Sequence, residues 1–232
     1  MKKISFIGAY DKTDLILYIA KILVAMDKRV LVVDSTINQK AKYVVPVIKP
    51  TRAYVTDFEN IDVAVGFNNF NEIKEYLGDP IHAELPYDIA LLDIDKSDSI
   101  INFNVNNEDR NFFVTAFDLY SLKRGLEILS GITEILNLTK VLYSKVMSKE
   151  EDDYLNYLSL GYKIVWNEER IYFPLEVGDQ TVIAENQRVA KIKFRRLSEQ
   201  YKESLIYIVQ EILEQDEYSK MKKIFKQLEK DV

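Results

Sequence analysis

The sequence predicts a doubly wound α/β domain, a mostly parallel sheet with helices on both faces, followed by a helical tail. Three observations carry this. Short runs of aliphatic and β-branched residues, apolar on both faces, recur through the first two-thirds of the chain, as strands buried on both sides do. Helical patterns separate them. Glycine and proline are scarce, at 7 and 5 of 232 residues, which leaves little material for coil linkers.

The elements follow in order. Ile4 to Ile7 reads as a strand, and Thr13 to Met26 as a helix with apolar residues at 15, 16, 19, 22 and 23. Arg29 to Asp34 is a second buried strand that ends on a carboxylate. Tyr87 to Asp93 and Asn111 to Thr115 are strands of the same kind. A long helical pattern covers Leu119 to Leu136, and Lys140 to Lys145 reads as a strand. Tyr162 to Trp166 and Ile171 to Phe173 are two short strand candidates. Helices follow near Gln180 to Arg188 and from Ser198 to Lys230. Residues 35–86 carry no clear pattern. The expected organisation is one domain over 1–215 and a basic amphipathic tail over 216–232.

Composition removes several functions. The chain has no cysteine, hence no disulfide, thiolate metal site or cysteine nucleophile. Its single histidine, His82, rules out chemistry that needs two imidazoles and reads as a loop or surface residue between Pro80 and Pro86. A net charge of −6 argues against a nucleic-acid partner. The longest apolar stretch, Leu15 to Met26, is broken by Lys21 and too short to span a bilayer. The expectation is a cytoplasmic protein, at most peripheral to a membrane.

In an open parallel sheet, ligands sit beyond the carboxyl ends of the strands. There the first strand runs through Gly8-Ala9-Tyr10-Asp11-Lys12-Thr13 directly into a helix. A strand, a short turn and Lys-Thr opening a helix is the layout of a phosphate-binding loop. Backbone N–H groups hold the phosphates, lysine reaches their oxygens, and threonine reaches Mg²⁺. Asp34 and Asp93 end the second and third strands, and an aspartate in that position holds magnesium in such proteins.

These residues resemble the MinD/ParA-like P-loop ATPases, a group that includes organisers of pilus and secretion machinery. Aligned on Lys-Thr, Gly8 falls on the first glycine of the family's deviant Walker A motif, Lys12 on its phosphate lysine and Thr13 on its magnesium threonine. Tyr87 to Asp93 is similar to the Walker B strand, and Phe113 to Leu122 to the later strand and helix with their valine-threonine and aspartate. The resemblance covers roughly residues 1–215. It implies a P-loop NTPase-like fold, an ATP and Mg²⁺ site on Gly8, Lys12, Thr13 and Asp93 with Asp34 behind it, protein partners and a homodimer.

The departures from the family pattern concentrate in the same loop. Ile7 stands in place of the signature lysine, Ala9 and Asp11 in place of the second and third glycines, and Thr36 in place of a second aspartate. Ile94-Asp95-Lys96-Ser97 lacks the family's proline and glycine. Asp11 and Asp14 also bring two carboxylates to the point where a polyanion docks. Without any ligand, Asp11 serves as a helix N-cap with Asp14 three residues on.

In the tail, Met221, Ile224, Phe225 and Leu228 repeat at helical spacing, while Lys220, Lys222, Lys223, Lys226 and Lys230 fill the other faces. Such a helix suits a membrane surface, a partner groove or its own domain. Met221, Lys222, Lys223, Ile224, Phe225, Lys226 and Leu228 are the candidate interaction residues. A second basic cluster, Lys191, Lys193, Arg195 and Arg196, reads as a solvated strand or loop, or as a contact for an anionic partner.

Three functions compete. The first is a scaffold or spatial organiser with a degenerate nucleotide site and absent or very weak ATPase activity. The second is an active nucleotide-switched ATPase with an altered loop. The third is a receiver-like signalling domain, since Asp34, Asp93 and Val114-Thr115-Ala116 also suit receiver strands.

Overall fold

Strand β1 (Lys2–Ile7) lies inside a sheet that has eight strands among the described residues, between β5 (Ile89–Ile94) and β6 (Arg110–Thr115). On one side β5 pairs with β2 (Val30–Asp34), which pairs with the hairpin of β4 (Ile61–Val65) and β3 (Tyr54–Phe58). On the other side β6 is followed by β7 (Leu136–Tyr143) and β8 (Ile164–Phe173). Among the described residues every pairing is parallel except β3 with β4. The structure is a computed structural model that describes residues 1–48, 51–78, 84–144, 148–174, 176–214 and 218–230. His82 and the boundary at 215/216 fall outside the described residues.

Helices cover both faces. One carries α1 (Thr13–Ala25), α2 (Ala41–Val44), α7 (Val177–Arg188), α8 (Glu199–Leu213) and α9 (Tyr218–Leu228) around a core that includes Phe6, Leu15, Phe112, Val182 and Leu205. The other carries α3 (Phe70–Leu77), α4 (Ser97–Asn102), α5 (Leu119–Ile128) and α6 (Lys149–Leu158), packed with Ile7, Leu92, Phe113 and Leu155. α1 is buried almost all round because α8 and α9 cover the side turned away from the sheet.

This topology settles two expectations. The doubly wound α/β fold stands. The receiver reading falls: a receiver places its first and second strands side by side, whereas here β5 separates β1 from β2.

Several element bounds differ from those read in the sequence. The helix over Leu119 to Leu136 stops at Ile128. A short 3₁₀ turn, Leu129–Gly131, follows, and β7 already begins at Leu136. The turn packs tightly against α4: Ser97 donates to the Ile128 carbonyl at 2.8 Å, and a Cβ on Gly131 would stand 2.9 Å from that of Ser97. The two short strands after Tyr162 are one strand, β8, shifted in register by an irregularity opposite Leu138 and Lys140. The helix from Ser198 is two helices, α8 and α9. Among residues 35–86, α2, β3, β4 and α3 occupy the stretch that showed no pattern.

The tail requires a correction. Met221, Ile224, Phe225 and Leu228 are all buried in the core on the α1 and α8 side, and the Phe225 ring meets Phe194 edge-on at 5.4 Å. They are packing residues, not attachment residues, because the apolar stripe already has a partner in its own domain. Lys222, Lys223 and Lys226 face outward. Among the described residues no helix is long and apolar enough to cross a membrane. Phe225→Ala is expected to lower the free energy of unfolding by about 3–5 kcal/mol, measured by urea denaturation. A loss below about 0.5 kcal/mol, the size of a surface substitution, would return this helix to a detachable role.

Candidate functional site

The carboxyl edge of β1, β2 and β5 brings the expected residues together. Adjacent strands pair Asp34 directly with Asp93, and β1 delivers the loop of residues 8–12 beside them. Gly8 is a requirement of the sheet itself. Its N–H donates to the Ile94 carbonyl at 3.0 Å, its φ is +152°, and a Cβ there would lie 2.1 Å from the Val114 carbonyl oxygen. The loop is thus wedged between the ends of β5 and β6.

Lys12 turns back into the protein. Its ammonium lies 2.7 Å from Asp93 Oδ1 and donates to the Gly8 carbonyl at 2.9 Å, and both side chains are almost wholly buried. Thr13 donates from Oγ1 to Asp93 Oδ2 at 3.3 Å. One carboxylate therefore meets both side chains that a phosphate and its magnesium would use. Burial pushes the Asp93 carboxyl up to about 6; the Lys12 ammonium opposes the rise and the neighbouring Asp34 adds to it.

Asp34 builds structure. Its Oδ1 accepts from the Thr36 N–H at 3.0 Å and from the Thr36 hydroxyl at 2.6 Å, and its Oδ2 accepts from the Ala41 N–H at 2.9 Å. It thereby holds the turn after β2 and the first N–H of α2. Ser35 closes the same junction by donating from its N–H and hydroxyl to the Asp93 carbonyl, at 3.1 and 2.7 Å.

The N-terminus of α1 differs by one position from expectation. Lys12 is the N-cap residue, and Asp11, one place earlier, accepts from the Thr13 N–H at 3.2 Å. Asp14 does not complete a capping box. It pairs with Lys40 at 2.8 Å and accepts from the Gln187 amide at 2.8 and 2.9 Å. Lys40 also meets Asp11 at 2.5 Å, so one ammonium neutralises both carboxylates at the loop. Burial works against the charge of Lys40, but Asp14 and Asp11 outweigh it and raise its pKa. No local pattern announces Lys40 or Gln187, since they arrive from 26 and 173 residues away.

A cleft of about 710 Å³ opens over this arrangement, lined by Tyr10, Asp11, Lys12, Thr13, Lys40 and Asp95 among others. Asp11, Asp93 and Asp95 face Lys12 and Lys40 there, and both ammonium groups are already paired within the protein. Among the described residues no group of three or more His, Cys, Asp or Glu is arranged to hold a metal ion.

No protein-family model matches the chain, and no curated protein sequence does. Solved structures do. A chain of the MinC:MinD cell division protein complex of Aquifex aeolicus is among the similar folds, at 12% identity over 93% of this chain and 97% of that one, with a TM-score of 0.57. A ParA family ATPase from Chlorobium tepidum is 16% identical over 89% and 97%, also at 0.57. A plasmid partition protein from Borrelia burgdorferi, bound to AMPPNP, is 13% identical over 97% and 98%, at 0.51. The likeness runs nearly end to end in each, and what this chain shares with these proteins is the MinD/ParA fold.

The buried carboxyl has a measurable consequence. Asp93 binds its proton more tightly in the folded protein, near pH 6, than in the unfolded chain, near pH 4. Its contribution to stability is therefore fullest below about pH 4 and falls as pH rises through about 6. Urea unfolding of the wild type and Asp93→Asn across this window should show the difference in stability shifting in favour of the asparagine variant as pH rises. A pH-independent difference would place the Asp93 pKa at its ordinary value.

Proposed function

We propose that this protein is a MinD/ParA-like scaffold or spatial organiser whose nucleotide site is closed from within, with absent or marginal ATPase activity. The observation that carries this reading is the buried contact of Lys12 with Asp93 and Gly8. A nucleotide must displace Asp93 from Lys12 and approach Asp11 and Asp95 at the same time. The residues as arranged do not fit a triphosphate: the cleft offers carboxylates in excess of ammonium groups, and each ammonium has an internal partner. Ile7 in place of the family's signature lysine removes the charge that crosses between subunits in family members. Protein partners in assembling a larger pilus, secretion or partitioning machinery accord with this reading, as does the MinC:MinD complex among the similar folds.

One observation favours a second reading, a nucleotide-switched ATPase. Thr13 and Asp93 stand 3.3 Å apart at the helix start, with Asp34 in register beside them, where a hydroxyl and a carboxylate would hold magnesium. Calorimetric titration with ATP and Mg²⁺ separates the two. The scaffold reading expects no heat of binding in the micromolar range, for the wild type and for Lys12→Ala alike. Micromolar binding that Lys12→Ala abolishes, together with nucleotide-dependent dimers, would overturn it in favour of the switch.

A further inference from the structure

Helix α6 carries large apolar residues on its outer side as well as its inner one. Amphipathic helices turn their apolar stripe to the core, and the inward side of α6 carries the buried Leu155 together with two polar residues, Asp152 and Asn156. Both meet the buried Lys140 of β7, at 2.6 and 3.1 Å, while Arg170 of β8 reaches the same aspartate at 2.7 Å and the Trp166 ring lies 5.0 Å from the lysine ammonium. The outward side carries Tyr154, Tyr157 and, just past the helix end, Leu160, which are 40%, 68% and 74% exposed. Positions 150, 153, 154, 157 and 160 follow one another at helical spacing, so Glu150 and Asp153 stand on the same ridge. Among the described residues neither acid has an ion-pair partner. This solvent-facing ridge is aromatic and acidic.

The opposite side of the molecule carries a groove with a basic rim. The groove, of about 780 Å³, runs between α7, the segment 189–197 and α9. Val182 and Val189 lie along it, and Lys193, Arg195 and Arg196 line it with two acids, Glu185 and Glu229, the second of which pairs with Lys202. Arg196 pairs with Glu185, whereas Lys193 and Arg195 have no ion-pair partner among the described residues. Lys226 of α9, exposed and one turn before the groove residue Glu229, extends the basic rim. The Phe194 ring packs on Phe225 and so brings the segment 189–197 against α9.

We propose that the α6 ridge of one copy seats in the basic groove of the next, so that the chain assembles head to tail with itself. The ridge belongs to the helix layer on one face of the sheet and the groove to the layer on the other. A contact of this kind leaves a free ridge and a free groove at its two ends, and a heterologous contact continues into an open array or a ring. Two tyrosines bury roughly 150–250 Å² each, a small interface, and its charged rim is screened by salt. The contact is therefore weak, concentration-dependent and stronger at low ionic strength. It uses none of the residues around Lys12, so it goes beyond the reading of that cleft and is tested separately from it.

Sedimentation velocity of the full chain without nucleotide tests it. The wild type should show species larger than a dimer that grow with concentration and dissolve on adding salt. A ridge variant, Tyr157→Ser with Leu160→Ser, and a groove variant, Lys193→Glu with Arg195→Glu, should each be monomeric. Mixed, they should form a one-to-one dimer and nothing larger, because one intact ridge and one intact groove remain. Exchanging the charges within one chain, Glu150→Lys and Asp153→Lys together with the groove variant, should restore association. A wild type that stays monomeric at low salt, or variants that neither block association nor complement one another, would overturn the proposal.

Discussion

A lysine buried at the carboxyl end of an inner strand needs an opposite charge within reach, and the arrangement of this edge of the sheet answers to that need. Lys12 is almost wholly buried, so Asp93 and the Gly8 carbonyl supply what water would. Asp93 cannot move away without losing Thr13 as well, and its backbone carbonyl is held by Ser35. Asp34, beside it in the sheet, turns its own oxygens into the following turn and α2. The carboxylates at this edge thus serve the fold through different bonds.

Charge pairing extends outward from that centre. Asp11 and Asp14 would repel one another and any anion at the helix start, and Lys40 lies between them. Gln187 ties Asp14 to α7, so the loop after β1, the start of α2 and the late helical layer are fastened at one point. On the far side of the sheet Lys140 repeats the pattern, with Asp152 and Arg170 around a buried ammonium. There Asp152 and Asn156 reach Lys140 beside the buried Leu155, and the tyrosines of α6 stay in solvent.

Sequence and structure agree where burial is two-sided. β1, β2, β5 and β6 are apolar on both faces, and α1 between them is helical in every window, so these elements are legible locally. The β3–β4 hairpin is not. Its turn residues Glu59 and Asn60 adopt φ of +55° and +66° without a glycine to announce it, with Glu59 anchored by Lys21 at 3.0 Å. The tail misleads for another reason: the spacing of Met221, Ile224, Phe225 and Leu228 reports an apolar stripe, but periodicity alone does not say which surface meets it. At the site, Gly8, Lys12, Thr13, Asp34 and Asp93 are legible because strand ends fix them. The pairing of Lys12 with Asp93, and the roles of Lys40 and Gln187, depend on contacts across the fold that no local spacing encodes.

The central claim is that the Lys12 ammonium belongs to Asp93 rather than to a nucleotide. Nitrogen-15 NMR of the lysine side-chain amines observes this directly, because a buried, hydrogen-bonded ammonium exchanges its protons slowly and gives a signal that solvent-exposed lysines lose. A Lys12 signal, assigned by its absence in Lys12→Met, should be present in the free protein and unchanged by saturating ATP and Mg²⁺. A signal that is missing from the free protein, or that moves when nucleotide is added, would contradict the closed site.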